Sequence, residues 1–391
     1  MNPDRGHRVV ASHALARRAF RLGLVFAVVA VVWAVVTLVG DGSWWGPLHA
    51  FLAGAVLLAI SGASQMFTIT WAAATPPGAV SSALQRWALA VGVGLVLVGV
   101  TADIVPLVWV GAAGVVMGLV LLARSITGAV RRSLLRRFDL SARFYLAAIA
   151  CGIVGVSLGA ILGSGSAGGH YADLRLVHSH LNLVGLVGLT IIGTLPTFLP
   201  TVAHHRAVSG SEARLAWWLS VGGAVAMATG LVFGGRAVGS GTVAVAVSGL
   251  VMLGGILVRL RERGRRELAF VQVVAGTGWL IVWALVDGAT LIAGRSLAPV
   301  GGWTGMAVLA GVGQILAGSL SYLIPVLKGA PLTTHLRVMT AHGWLPLIAA
   351  NLAGVALILD LGPVVLGALA VWLGDFAIRL SRVLASRHHI A

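Results

Sequence analysis

Charge is scarce in this chain, and negative charge scarcer still: of 391 residues 10% are charged, and Asp and Glu together number 11. Soluble domains carry about 25% charged residues, so composition alone excludes an ordinary globular enzyme. Cysteine occurs once, at Cys151, inside an apolar run. Neither a disulfide framework nor a thiolate metal site can therefore be built, and any metal must use imidazole, thioether, carboxylate or amide. Long polar segments are also missing. The gaps between apolar runs reach about fifteen residues, too short to build a core outside a membrane, so no soluble domain is expected within the chain.

What remains is overwhelmingly apolar: 58% of residues are hydrophobic and the mean hydropathy is +0.98. A membrane-spanning helix needs roughly 20 apolar residues. About twelve such stretches can be drawn, at 20–40, 48–74, 87–103, 105–126, 143–165, 174–201, 215–235, 240–259, 267–293, 302–326, 338–358 and 361–383. The expected fold is all-α, a polytopic transmembrane helix bundle forming one domain over 1–391, with short basic tails at 1–19 and 384–391. The first stretch follows a basic segment and has no small-residue cleavage pattern, so it reads as a helix rather than a removable signal. Glycine occurs 53 times, as suits helices that approach closely within a bilayer.

The formal charge of +16 suggests nucleic acid until its placement is considered. When the loops are numbered alternately, all Lys and Arg residues except Arg175, Arg236 and Arg295 fall on one side together with both tails. That asymmetry is the positive-inside pattern, which predicts cytoplasmic termini in a plasma membrane and makes the lipid bilayer, not nucleic acid, the partner of the basic groups.

Histidines recur near the ends of the apolar stretches, at His49, His178, His180, His204, His205, His335 and His342. With alternating direction, His49 opens the second stretch at the outer interface. At 1.5 Å per residue, His178 and His180 lie about 6–9 Å into the membrane from the same face. The others belong to the cytoplasmic side, with His342 about one turn inside the eleventh stretch. Solvent or headgroup contact accounts for His7, His13, His204, His205, His388 and His389, and fits His335 as well as function does. A hydrogen-bonded contact between helices is the commoner explanation for His342. In a regular helix residues two apart point about 200° from each other, so His178 and His180 cannot both serve one ion unless the helix start is unwound. His178 shares its face with Asn182 and Gly185. His180 shares one with Val184, Val187 and Ile191, which reads as packing. An imidazole inside a span is expensive and functional by default, which points to a shared site formed by His49 with at least one of this pair.

Neutral imidazole suits iron, copper and zinc, and two such side chains on facing helices can hold a heme between them. A structural zinc site would need four ligands that this chain does not supply. The glycines would make room for a flat macrocycle, while Met66, Met117 and Met306 are candidate soft contacts for copper(I) or core filling. Asp287 and Asp375 are the two carboxylates most clearly within the membrane, candidates for a relay or for a hydrogen-bonded helix contact. Gln65, Asn182, Gln314 and Asn351 read as helix-joining amides.

The run from His49 to Trp71, HAFLAGAVLLAISGASQMFTITW, resembles the second-span motif of the NnrS family, with Gly54, Ile60, Gly62 and Trp71 at the matching offsets. The run from His178 to Thr201, HSHLNLVGLVGLTIIGTLPTFLPT, is similar to the sixth span of actinobacterial membrane proteins related to NnrS and, more distantly, to subunit I of heme-copper oxidases. The resemblance implies an iron-containing heme protein, with heme b and with or without copper beside it, oxidoreductase-like and concerned with nitric oxide, nitrite or oxygen. It carries over His49, His178 and His180 as cofactor ligands, with His342 added as a metal-site candidate from its position. The partner expected is a small diatomic or nitrogen-oxide ligand, with a homo-oligomer left open. The chain departs from the pattern at Pro47, where a second histidine is usual, and at Ala50, where a glutamate is. The tenth stretch also lacks the paired histidines of the oxidases, which argues against a proton-pumping oxidase. The competing class is a transporter or permease for a metal ion or small solute, in which outer histidines capture, His342 releases, and Pro106, Pro196 and Pro200 supply kinks.

Overall fold

A computed structural model describes residues 3–40, 42–133, 138–205, 210–261, 267–297, 301–329, 331–340 and 343–386, with the side chains of 3–7 and 301 excepted. The described residues are almost wholly helical and contain no strand. In hydrocarbon a backbone must meet its own hydrogen-bonding demand, and the long apolar runs do so as helices. In chain order these are α1 (Pro3–Val39), α2 (Trp45–Trp71), α3 (Ala79–Thr101), α4 (Val105–Arg131), α5 (Asp139–Gly163) and α6 (Gly168–Val202). There follow α7 (Ser211–Ala228), the single turn α8 (Gly230–Phe233), α9 (Gly235–Leu260), α10 (Leu268–Ile292) and α11 (Gly302–Lys328). The short α12 (Leu332–Met339), α13 (Leu345–Ile358) and α14 (Gly362–Ala385) complete the chain.

Ten of these helices are long and apolar enough to cross a membrane, against twelve stretches expected. The seventh stretch breaks at Thr229 into α7 and α8, and Gly234 then takes φ +73°, a left-handed conformation that ends the turn. In the eleventh, the longer helix begins at Leu345, after Gly343 at φ +56° and with Pro346 in its first turn. Its 14 residues rise about 21 Å, less than a hydrocarbon core of about 30 Å. Side chains such as Val25, Val28, Val32, Val36, Ile348 and Leu352 are exposed, an apolar surface of the kind that a lipid bilayer covers. The chain is a helical membrane protein.

Contacts gather in two compact units, Met1–Gly193 with Ala224–Val238, and Thr194–Gly223 with Gly239–Ala391. In the first unit α1 lies along α2, and the segment expected as a basic tail is already helix: Ser12, Ala16 and Ala19 are buried, and Gly62 of α2 fits against Ala16 and Ala19. Helices α3 and α4 touch backbone to backbone, since a Cβ on Gly92 would stand 2.7 Å from the Gly111 carbonyl oxygen and one on Gly111 would stand 2.6 Å from that of Gly92. The second unit repeats the device between α9 and α10 through Gly239 and Gly288, and between α10 and α11 through Gly276 and Gly311. Burial is uneven among the helices. In the most apolar window 83% of α6 and 67% of α2 is buried, but only 17% of α1, so α2 and α6 are interior helices.

Candidate functional site

Two interior helices of the first unit bring their N-terminal ends together. His49 lies one turn into α2 and His178 within the first ordinary α-helical stretch of α6, Tyr171–His180. Their ring centroids are 6.3 Å apart and their planes differ by 17°. Helices α2 and α6 therefore begin on the same side of the first unit.

Each ring is oriented by a backbone carbonyl. His49 Nδ1 lies 2.8 Å from the Trp45 carbonyl oxygen, and His178 Nδ1 lies 2.7 Å from that of Gly155 on α5. A carbonyl oxygen only accepts, so Nδ1 carries the proton in both rings and each Nε2 keeps its lone pair. This is how proteins prepare imidazole for a metal. Asn182 Nδ2 comes within 3.3 Å of His178 Nδ1 but donates to the His178 carbonyl oxygen at 2.8 Å, because a protonated Nδ1 cannot accept. Trp45 stacks on His49 at 4.3 Å and 24°.

The backbone departs from α geometry beside these histidines. Ala50–Val56 follows His49 as a π-helical segment, and Leu181–Gly188 follows His180 as another. Such widened turns concentrate at functional sites. Because the regular helix persists through His180, the 200° separation of His178 and His180 holds. His180 is buried, with Nδ1 2.8 Å from the Leu176 carbonyl oxygen. Among the described residues no three His, Cys, Asp or Glu side chains are grouped so as to hold a metal ion. His49 and His178 are thus a two-ligand arrangement, and His342, with His388 and His389, lies outside the described residues.

Two neutral imidazoles, each with Nε2 unprotonated, are a donor set that could hold a heme iron or a copper ion. The glycines do not form an open slot as the sequence suggested. Added Cβ atoms on Gly155 and Gly159 would meet Asn182 at 2.4 Å and His178 Cε1 at 2.7 Å, while Gly54 and Gly46 lie under the rings of Phe26 and Trp33. These positions are bare so that side chains, the ligand candidate among them, can seat on the neighbouring helix.

Of the other sequence candidates, Asp375 is buried in an ion pair with Arg379, 2.6 Å between Oδ2 and Nη2, one turn along α14. The contact is close in distance without hydrogen-bond alignment, and Arg379 Nη1 also donates to the Met339 carbonyl oxygen. The i, i+4 spacing identifies a structural pair. Asp287 is buried on α10 beside Gly288, where α9 and α10 make their closest approach. His204 reaches Glu267 at 3.2 Å near the surface. His335, for which headgroup contact and function read equally well from the sequence, is 1% exposed, with Nε2 2.9 Å from Ser386 Oγ. It is held in place because Lys328 Nζ gathers the carbonyl oxygens of Leu384 and Ser386 at the end of α14. Comparison with protein-family models finds no match to this chain, and comparison with curated proteins finds none either.

Proposed function

We propose that this protein is a multi-pass plasma-membrane protein with both termini cytoplasmic, which binds heme b between α2 and α6 through Nε2 of His49 and His178. The observation that carries this reading is the pair of near-parallel imidazoles 6.3 Å apart, each with Nδ1 tied to a backbone carbonyl and Nε2 left to coordinate. Bound there, heme would supply one-electron chemistry. The protein's own contribution is to hold both rings in one tautomer, through Trp45 and Gly155, and to keep the pair within interior helices away from water. His49 and His178 would hold the group, and carrying an electron is the direct use of such a site; a diatomic or nitrogen-oxide molecule is the ligand this reading expects.

A second reading has its own support. The filled glycine faces around His178 and Asn182 favour a guest smaller than a macrocycle, and two imidazoles suffice for copper(I). Visible spectra and metal analysis of protein expressed with heme and copper supplied separate the two. A Soret band lost in both His49→Ala and His178→Ala supports heme. Stoichiometric copper without a Soret band supports the ion, and protein that retains neither sinks both.

A further inference from the structure

The second unit contains buried polar groups that its own side chains do not answer. Both side-chain polar atoms of Gln272 on α10, both of Gln314 on α11 and the indole N–H of Trp372 on α14 are inaccessible and have no hydrogen-bond partner. The three residues are 1%, 0% and 3% exposed. In a membrane core an amide without a partner is strongly disfavoured, so such groups normally surround something that bonds to them.

Their placement converges. One face of α11 meets α10: a Cβ on Gly276 would stand 2.7 Å from the Gly311 carbonyl oxygen and from Ile315, and one on Gly318 would stand 2.8 Å from Gln272 Cβ. Another face meets α13 and α14, where Ala310 lies under Gly354, a Cβ on Gly313 would stand 3.3 Å from the Trp372 ring, and Ala317 packs on the same tryptophan. Gln314 adjoins both faces: it follows Gly313, which lies against Trp372, and is one turn before Gly318, which lies against Gln272, so its fully buried side chain is placed among α10, α13 and α14. The wall on the α10–α13 side includes a polar pair that is already satisfied, Trp279 Nε1 donating to Asn351 Oδ1 at 2.6 Å. Immediately before Gln314 the backbone of α11 runs as a π-helical segment, Ala307–Gly313, like those beside the histidines of the first unit.

We propose that the second unit encloses a binding site for a small uncharged hydrogen-bonding guest, held by Gln272, Gln314 and Trp372. Two carboxamides both donate and accept and the indole only donates, so the guest must accept from Trp372 and exchange in both directions with the amides. Water does this, as does a small solute bearing a carbonyl or hydroxyl group. The site is independent of the histidine pair and stands whether or not heme binds.

X-ray hydroxyl-radical footprinting of the full chain in lipid nanodiscs tests it, with native protein beside Gln314→Met and Gln272→Met. Trp372 is shielded from bulk solvent, so oxidation there reports water held beside it. The expected result is oxidation of Trp372 in the native protein and its loss in both variants. Where the guest is a solute, Trp372 stays unmodified and denaturation releases one compound per chain, detected by mass spectrometry, from native protein and not from the variants. Gln272→Met keeps the comparison available if Gln314→Met does not fold. Trp372 oxidised equally in native and variant protein, or unmodified with no compound released, overturns the proposal.

Discussion

His178 shows how much of a site depends on residues that carry no chemistry. Its imidazole lies where Gly159 has no side chain and its Nδ1 proton goes to Gly155, so two glycines of α5 set the ring's position. Gly159→Ala would put a methyl group 2.7 Å from Cε1. We expect that variant to fold, with a loss of about 1–3 kcal/mol from overpacking, and to lose the Soret band or copper that native protein carries. His180→Ala, by contrast, should keep the bound group, since its ring sits about 200° around the helix from His178. A His180→Ala variant without the chromophore would show that the wrong imidazole had been assigned. Asp375 makes the complementary case. Asp375→Asn leaves Arg379 buried without its counter-charge and should lower unfolding stability by roughly 3–5 kcal/mol, measured in detergent, while the visible spectrum is unchanged.

Among the elements, close helix pairs are secured by glycine and helix ends by charge. Gly111→Leu on α4 would drive a side chain into the Gly92 backbone 2.6 Å away, and we expect a loss of about 3 kcal/mol or failure to assemble. Gly94→Ala on α3, where nothing lies within 4 Å, should be neutral in the same assay. At the start of α7, Glu212 accepts from Arg259 at the end of α9, with 2.6 Å between Oε2 and Nη2. The guanidinium holds the Glu212 carboxyl below the usual carboxylate range. A lowered folded value stabilises the protein above the ordinary glutamate pKa and stops doing so as pH falls through the folded value. Glu212→Gln should therefore cost about 0.5–1 kcal/mol at pH 7, since the pair is partly solvated, and nothing measurable once the native carboxyl is protonated in acid. Thermal unfolding at the two pH values checks the sign.

For the whole molecule, the placement of arginine predicts which ends face the cytoplasm. The lone Cys151 is buried, so a Cys151→Ser background allows single added cysteines to be read cleanly. Ser43→Cys and Ser296→Cys should react with an impermeant maleimide on intact cells, and Ser386→Cys only after the membrane is opened. The reverse pattern would invert the topology and put the histidine pair at the inner face. Hydropathy made the helices and their approximate ends readable because a bilayer imposes one length scale on every span. It did not show the breaks at Thr229 and before Leu345, which depend on backbone conformation rather than on apolarity. His49 and His178 could be singled out as costly imidazoles at one depth, but nothing in the linear pattern said that α5 would supply the carbonyl orienting one of them, or that His180 would turn away. Asp375 stands out in the sequence as a carboxylate inside a span, but its partner Arg379 does not; Gln314 reads as an ordinary helix-joining amide, and nothing in the sequence singles out Gln272. Composition and charge fix what must be buried in lipid and which ends stay in water, because those are sums over residues. Which side chains meet is a property of helix rotation and approach, set by glycine contacts between segments far apart in the chain.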